Sequence, residues 1–365
     1  MSPQRAIRCS VIRGGTSKGL YFHGTDLPAD VATRDAVLLA AMGSPDVRQI
    51  DGMGGAHALT SKVAVVTVSR RDDADVDYLF LQVWPDRAEV SDSQNCGNLL
   101  AGVGPFALEE GLVKPNGEVS DVRIWMENTQ SMALARVTTP EGVVRYDGDA
   151  HIDGVPGTGA PIAIEFLDVA GSTCGSLLPS GNAVDVIDGV EVTCIDNGMP
   201  VVCLRAQDLG LTGEESPNEL EANFELCARV ESIRQRAGEL MNLGDVTSAT
   251  VPKMSLLSPA RRGGSISTRT FIPRRVHEAI GVFGAVSVAT ACLVPGSVAQ
   301  HLAGLRGDEH HTTIDVEHPS GYFSVAMNVT LEDGTVRVHS SALLRTARLL
   351  MRGEVLIPEA LWTET

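Results

Sequence analysis

The sequence predicts an α+β fold of two similar domains, each a curled, mostly antiparallel sheet around one central buried helix. Three observations lead there. Strand-like runs dominate, and most are short, rich in β-branched residues and bounded by Gly, Pro, Asp or Asn, which suits hairpins better than βαβ crossovers. Two helical stretches nearly lack charge, one in each half of the chain, and a helix apolar all round must be enclosed by other structure. The length of 365 residues suits two domains or one large one, with ample core to bury.

In chain order, the runs 7–12, 63–68, 78–84, 122–126, 132–137, 162–166, 190–195, 201–204, 314–317 and 322–329 read as strands. Helices are fewer. Residues 32–42 and 218–240 look amphipathic, the second closing in a charged, solvent-facing stretch. The two apolar helices, 98–109 and about 284–302, each open from a Gly-containing turn. The segment 279–305 carries no formal charge apart from any protonation of His301 and is long enough to span a bilayer. Its Ser287, Thr290, Pro295, Gly296 and Ser297 instead fit a buried core helix and its exit loop. The domains are expected at 1–185 and 186–365, crossing in the Gly/Pro-rich stretch 171–189, with the terminal strand free to pack back on the first domain.

Composition narrows the function. With 29 Lys and Arg against 46 Asp and Glu, the net charge is −17, which excludes a general binder of nucleic acid or anionic membrane. The loop Arg261-Arg262-Gly263-Gly264 is too short to reverse that, and aromatics at 4% offer no obvious stacking surface for RNA. An anionic ligand must therefore meet a local cluster. Only four basic residues are Lys (Lys18, Lys62, Lys114 and Lys253), and two of these close the same tripeptide, Thr-Ser-Lys. Seven Cys without a CxxC, and no apolar run near the N-terminus, predict reduced thiols in a cytoplasmic protein.

Three motifs can carry chemistry. RGGTSKG (13–19) follows a strand and is rich in backbone amides, so it could hold an anion with Thr16, Ser17 and Lys18. It fails the phosphate-loop test, because its Lys follows Ser and the next element is a short strand; a carboxylate-binding loop or a plain tight turn remain. DGMGGAHALTSK (51–62) delivers Lys62 to the mouth of an apolar strand. A lysine there is expected to be partly desolvated, which would free the neutral amine as a base; the alternative is a strand-end Lys reaching into water. His57 in the same loop reads as a surface hydrogen-bonder. QNCGNLLAGVG (94–104) sets Cys96 just before a buried helix, where backbone N–H groups favour a thiolate or a bound anion. Cys is also a common core residue, but Asn95 and Asn98 around Cys-Gly disfavour a packing role. Cys9, Cys174, Cys194, Cys203, Cys227 and Cys292 read as core thiols. The His310-His311 pair and His318 lack ligand-like spacing, so no metal site is expected.

These residues, with CIDNGMP, MGSPDVRQIDGMGG, MNLGDV, STRTFIP and GVFGAVSVATA, resemble the PrpF family of cofactor-independent isomerases, which has the diaminopimelate epimerase-like fold. The resemblance covers essentially the whole chain. It implies an active site in the interdomain cleft, no cofactor, and a small polycarboxylate substrate. The expected substrate is 4-oxalomesaconate of gallate catabolism, with 2-methylaconitate of propionate metabolism as the alternative; a non-catalytic tricarboxylate-binding protein is the alternative of a different class. Homo-oligomerisation is left open. In the epimerase relatives a Cys opens the central helix of each domain. Here Cys96 stands in the first domain but Phe283 stands where the second Cys would be, which argues against two-thiol racemisation. The resemblance implies that Lys62 pairs with Cys96 to move a proton through a dienolate. It further implies ligand roles for Ser17, Lys18, Asn95, Gly97 and Asn98, and for Asn197, Arg269, Thr270, Gly284 and Ala285.

Overall fold

The structure, a computed structural model, describes residues 4–92, 95–167, 169–305, 311–332 and 335–362. Gln94 and His310 lie outside the described residues. The chain forms two compact units, Met1–Glu165 with Leu344–Thr365, and Phe166–Leu343.

Unit 1 opens with the hairpin of β1 (Gln4–Gly14) and β2 (Ser17–His23), in which Arg13 faces Lys18 and Gly14 faces Ser17. Helix α1 (Val31–Met42) starts where the Asp30 carboxylate accepts the Thr33 N–H and stops at Gly43, whose φ of 78° takes the left-handed turn. Strand β3 (Lys62–Val68) runs parallel to β2, and β4 (Val76–Val83) runs antiparallel to β3. After the short β5 (Val90–Ser91), the predicted helix 98–109 is two pieces, α2 (Gly97–Leu100) and α3 (Val103–Glu109). The break falls at Gly102, where a Cβ would stand 2.3 Å from the Tyr21 hydroxyl. Strands β6 (Val119–Met126) and β7 (Ser131–Thr138) complete this run, and Val103 to Leu108 of α3 are all buried. The other face of the sheet is covered by α1, whose Val37, Leu38, Ala41 and Met42 pack with Ile7, Leu20, Phe22, Val63 and Leu81.

The chain leaves unit 1 along β8 (Ile162–Leu167), so the division falls at 165/166, not at the expected 185/186. The stretch 171–189 is held inside unit 2. Gly171 N–H donates to the Asp196 carbonyl at 2.8 Å, and Asp196 N–H donates to the Leu177 carbonyl at 2.9 Å.

Unit 2 repeats the plan. Strands β9 (Asp185–Ile187), β10 (Val190–Asp196) and β11 (Pro200–Arg205) are antiparallel in turn, and the β10–β11 turn uses Gly198 at φ 84°. The predicted helix 218–240 divides into α4 (Pro217–Ala222), opened by a Ser216–Glu219 capping box, and α5 (Phe224–Leu240), capped by Asn223. Strand β12 (Lys253–Pro259) is parallel to β11, and β13 (Ile266–Phe271) is antiparallel to β12. The central helix α6 (Val282–Leu293) is buried from Val282 to Cys292 and packs on β10 and β11. It ends earlier than predicted, because Val294 turns extended before Pro295. Strands β14 (His311–His318), β15 (Gly321–Glu332) and β16 (Thr335–Arg345) follow. On the opposite sheet face, α5 packs Val230, Ile233 and Ala237 on Val192, Val202, Leu204, Met254, Leu256 and Phe271.

The chain then returns to unit 1 as β17 (Ala347–Pro358), antiparallel along the length of β1 from Gln4 opposite Pro358 to Gly14 opposite Ala347. Among the described residues no helix is long and apolar enough to cross a membrane, and no three His, Cys, Asp or Glu side chains are grouped to hold a metal.

Candidate active site

Lys62 is delivered by a loop that is itself braced. The Gln49 side-chain oxygen accepts from the Ser61 hydroxyl at 2.6 Å and from Ala56 N–H at 2.9 Å. Gln82 donates to the carbonyls of Ala58 and Ser61, at 3.1 Å each. Gly54 lies against Gln49 so closely that a Cβ would stand 2.2 Å from its side-chain oxygen. His57, as expected, stays exposed, and its Nδ1 accepts the Leu59 N–H at 3.1 Å. Lys62 itself is 8% exposed, the first residue of β3, with Nζ 5.6 Å from the centre of the Phe80 ring.

Cys96 opens α2 in an extended conformation, and its Sγ accepts the Leu99 N–H at 3.4 Å. Lys62 Nζ is 3.1 Å from the same sulfur. Two residues 34 positions apart are thus in hydrogen-bond contact, on two elements of one unit. The turn beneath them is fixed. Tyr78 donates to the Cys96 carbonyl at 3.4 Å, Tyr21 donates to the Leu99 carbonyl, and Asn95 Oδ1 accepts the Cys96 N–H at 2.7 Å. Burial pushes both tyrosine hydroxyls well above their ordinary pKa, so they remain donors. Neither tyrosine was singled out by sequence reasoning. The available signal was the glycines that make room, since Gly14 and Gly102 both approach the Tyr21 hydroxyl.

The RGGTSKG loop lies beside this pair. Asn98 Oδ1 accepts the Thr16 N–H at 3.4 Å, and Gly15, at φ 52°, comes so close to Asn98 that a Cβ would stand 2.2 Å from that oxygen. Gly19 pairs with Lys62 across the parallel β2–β3 ladder. Ser17 is 1% exposed, and its hydroxyl has no hydrogen-bond partner among the described residues. Lys18 is half-buried opposite Arg13. Unit 1 therefore gathers Lys62, Cys96, Asn95, Gly97, Asn98, Thr16 and Ser17 in one place.

Unit 2 does not gather its predicted residues in the same way. Gly284 and Ala285 lie in the first turn of α6, beside Phe283, whose ring packs on Phe166 with centroids 4.5 Å apart. Asn197 is fully buried and braces the β10–β11 turn on α6, donating from Nδ2 to Thr290 Oγ1 at 2.8 Å and to Ser341 Oγ at 3.2 Å. Its neighbour Asp196 accepts the N–H groups of Thr173 and Cys174, both at 2.8 Å, while burial raises its carboxyl pKa. Thr270 hydrogen-bonds Ser255 at 2.9 Å inside the sheet. Arg269 is on the other face. Alternate strand residues share a side, and Phe271 belongs to the α5-facing core, so Arg269 points to the α5 side and not to α6. It donates to the Glu215 and Thr268 carbonyls, at 2.6 and 2.9 Å.

The remaining cysteines behave as packing residues. All are free, and burial raises the thiol pKa of Cys9 to about 11 and those of Cys174, Cys194 and Cys292 to about 12.

Comparison with known proteins settles the kinship. The PrpF protein family matches residues 4–358. The chain belongs to the PrpF family. A (4E)-oxalomesaconate Delta-isomerase of Novosphingobium sp. (strain KA1) is 60% identical over 96% of this chain and 97% of that one. A 4-oxalomesaconate tautomerase of Pseudomonas putida is 58% identical over 98% of each. Among solved structures, a methylitaconate-delta-isomerase matches 99% of this PrpF chain and 98% of its own, with TM-score 0.87 and 35% identity. The α+β plan of two helix-centred units is the diaminopimelate epimerase-like fold.

Proposed function

We propose that this protein is an isomerase of 4-oxalomesaconate, in which Lys62 and Cys96 together move one proton. The observation that carries this is their 3.1 Å contact, on a turn pinned by Tyr21, Tyr78 and Asn95. An amine and a thiol in contact form an acid–base pair: one takes a proton from the carbon between the carbonyl and alkene groups, the other returns one to a different atom. Removing the proton leaves a dienolate whose charge spreads over the substrate's own carbonyl and carboxylate groups, so the chemistry calls for no cofactor. Ser17 explains itself in this reading. A buried hydroxyl without a partner costs free energy, and a substrate carboxylate supplies the acceptor it lacks. Lys18 adds positive charge on the adjoining position. The high identity to oxalomesaconate enzymes supports a role in the breakdown of gallate-type aromatic acids.

The test is proton NMR of 4-oxalomesaconate in D2O with EDTA-treated enzyme. Isomer formation with deuterium uptake is expected, and Lys62→Met and Cys96→Ser should each lose about 10²–10⁴-fold in kcat while staying folded. Near-normal turnover by either variant would overturn the paired assignment. Turnover of 2-methylaconitate in preference to 4-oxalomesaconate would move the substrate while leaving the pair intact.

A further inference from the structure

We propose that unit 2 holds a second site, for a small oxyanion, where β12 turns into β13. It is built wholly from unit 2, whereas Lys62 and Cys96 belong to unit 1. A cavity of about 140 Å³ there is lined by Arg261, Arg262, Arg269, Ser267, Glu317 and His318. Four of these are at least nine-tenths buried: Ser267 is 7%, Arg269 6%, Glu317 3% and His318 5% exposed. Such a concentration of buried polar groups needs a partner for each.

The partners can be followed group by group. Glu317 is satisfied from within, because its carboxylate accepts the N–H groups of Arg261, Arg262 and Gly264 at 3.0, 2.6 and 2.9 Å. Its charge is thus spent on the backbone of the hairpin. Arg261 pairs at 3.1 Å with Glu214, an exposed residue that also lines the cavity. Arg262 and Arg269 have no carboxylate within ion-pair distance among the described residues. Arg262 donates one bond, to the Pro319 carbonyl at 3.3 Å. Arg269 gives Nε and Nη1 to carbonyls, and its Nη2 makes no hydrogen bond among the described residues. Two guanidinium groups, Arg269 buried and Arg262 exposed, therefore border one polar cavity with no carboxylate in ion-pair contact among the described residues, although Glu214 and Glu317 share the lining. A buried cation left uncompensated is costly, and the planar fork of Arg matches two oxygens of one anion.

The position keeps this site apart from the start of α6. The β12–β13 register places Pro259 opposite Ile266 at the hairpin, whereas Met254 faces Phe271 at the end from which the chain leads to α6. The shared ligand chemistry is an oxyanion, carboxylate or phosphate.

Calorimetric titration with inorganic phosphate and, separately, acetate, at constant ionic strength, decides the matter. Binding of one of them by the wild-type protein is expected, weakened about tenfold in Arg262→Ala and in Ser267→Ala. Isomerase kcat and KM should be unchanged in both variants. Phosphate binding alone identifies a tetrahedral anion, and acetate binding alone a carboxylate. The proposal falls if neither ligand binds the wild-type protein below about 10 mM, or if both variants bind as tightly as it does.

Discussion

Adding a single methyl group at Gly19 should disable the reactive pair without substituting either member. A Cβ at position 19 would lie 2.3 Å from the Lys62 carbonyl oxygen, 2.9 Å from the Lys62 carbonyl carbon and 3.2 Å from Leu99 Cδ1. The first two are backbone atoms of a strand in a parallel ladder, so no side-chain rotation relieves the overlap. Ordinary contact requires roughly 3.5 Å between such atoms, so β2 and β3 must part by about 1 Å at this point. Lys62 Nζ, now 3.1 Å from Cys96 Sγ, would then leave hydrogen-bond range. A misplacement of about 1 Å in a catalytic group can cost about 10²-fold in rate, and overpacking of this kind about 1–3 kcal/mol in stability. The assay is initial-rate isomerisation with urea unfolding of the same preparation, using Gly304→Ala as control. There a Cβ meets only the Ser265 carbonyl oxygen, at 3.9 Å. A Gly19→Ala enzyme with wild-type kcat and wild-type urea midpoint would refute the reasoning.

Tyr21→Phe should cost about 1–2 kcal/mol, at the low end for a buried carbonyl losing a donor, because Leu99 O keeps the Gly102 N–H at 2.9 Å. Urea midpoints measure this, and kcat should fall more than KM changes, since the bond fixes the turn and not the substrate. Lys253 makes stability depend on pH. Burial, with Arg234 nearby, lowers its pKa to about 8, against about 10.4 in an unfolded chain. Between those values the unfolded state binds more protons, so the Lys253 contribution to stability rises with pH from about 8 to about 10.4 and is constant below. Lys253→Met should remove that rise from urea midpoints taken across the range; an unchanged slope would contradict the assignment.

What the sequence made legible follows from where its signals were local. Residues 7–12, 63–68 and 132–137 are apolar runs edged by turns, and they sit within β1, β3 and β7. Cys96 before an uncharged helix and Lys62 at the mouth of a strand were visible one at a time; their contact, 34 residues apart, needs the sheet to bring them together. Strand β13, Ile-Ser-Thr-Arg-Thr-Phe, was missed because its polar residues look exposed, yet every one is buried, and Thr268 and Thr270 are bonded to the neighbouring strands β14 and β12. Strand β17 was missed for the opposite reason. Its exposed and half-buried positions dilute the apolar pattern, and its place is set by pairing with β1, at the far end of the sequence. The helix breaks at Gly102 and Asn223 were hidden because each depends on a partner, the Tyr21 hydroxyl in one case and a cap to Leu226 N–H in the other.

The return of β17 to β1 has a consequence for biosynthesis. Unit 2 is one continuous stretch, whereas unit 1 is assembled from two segments and must wait for β17. The RGGTSKG loop waits with it, since Arg13 Nη1 and Gly15 N–H both donate, at 2.9 Å, to the carbonyl of Thr346. A nascent chain halted after unit 2 therefore carries Lys62 and Cys96 without the backbone that seats the loop beside them. Catalytic competence therefore depends on a strand more than 250 residues further along the chain than the cysteine it serves.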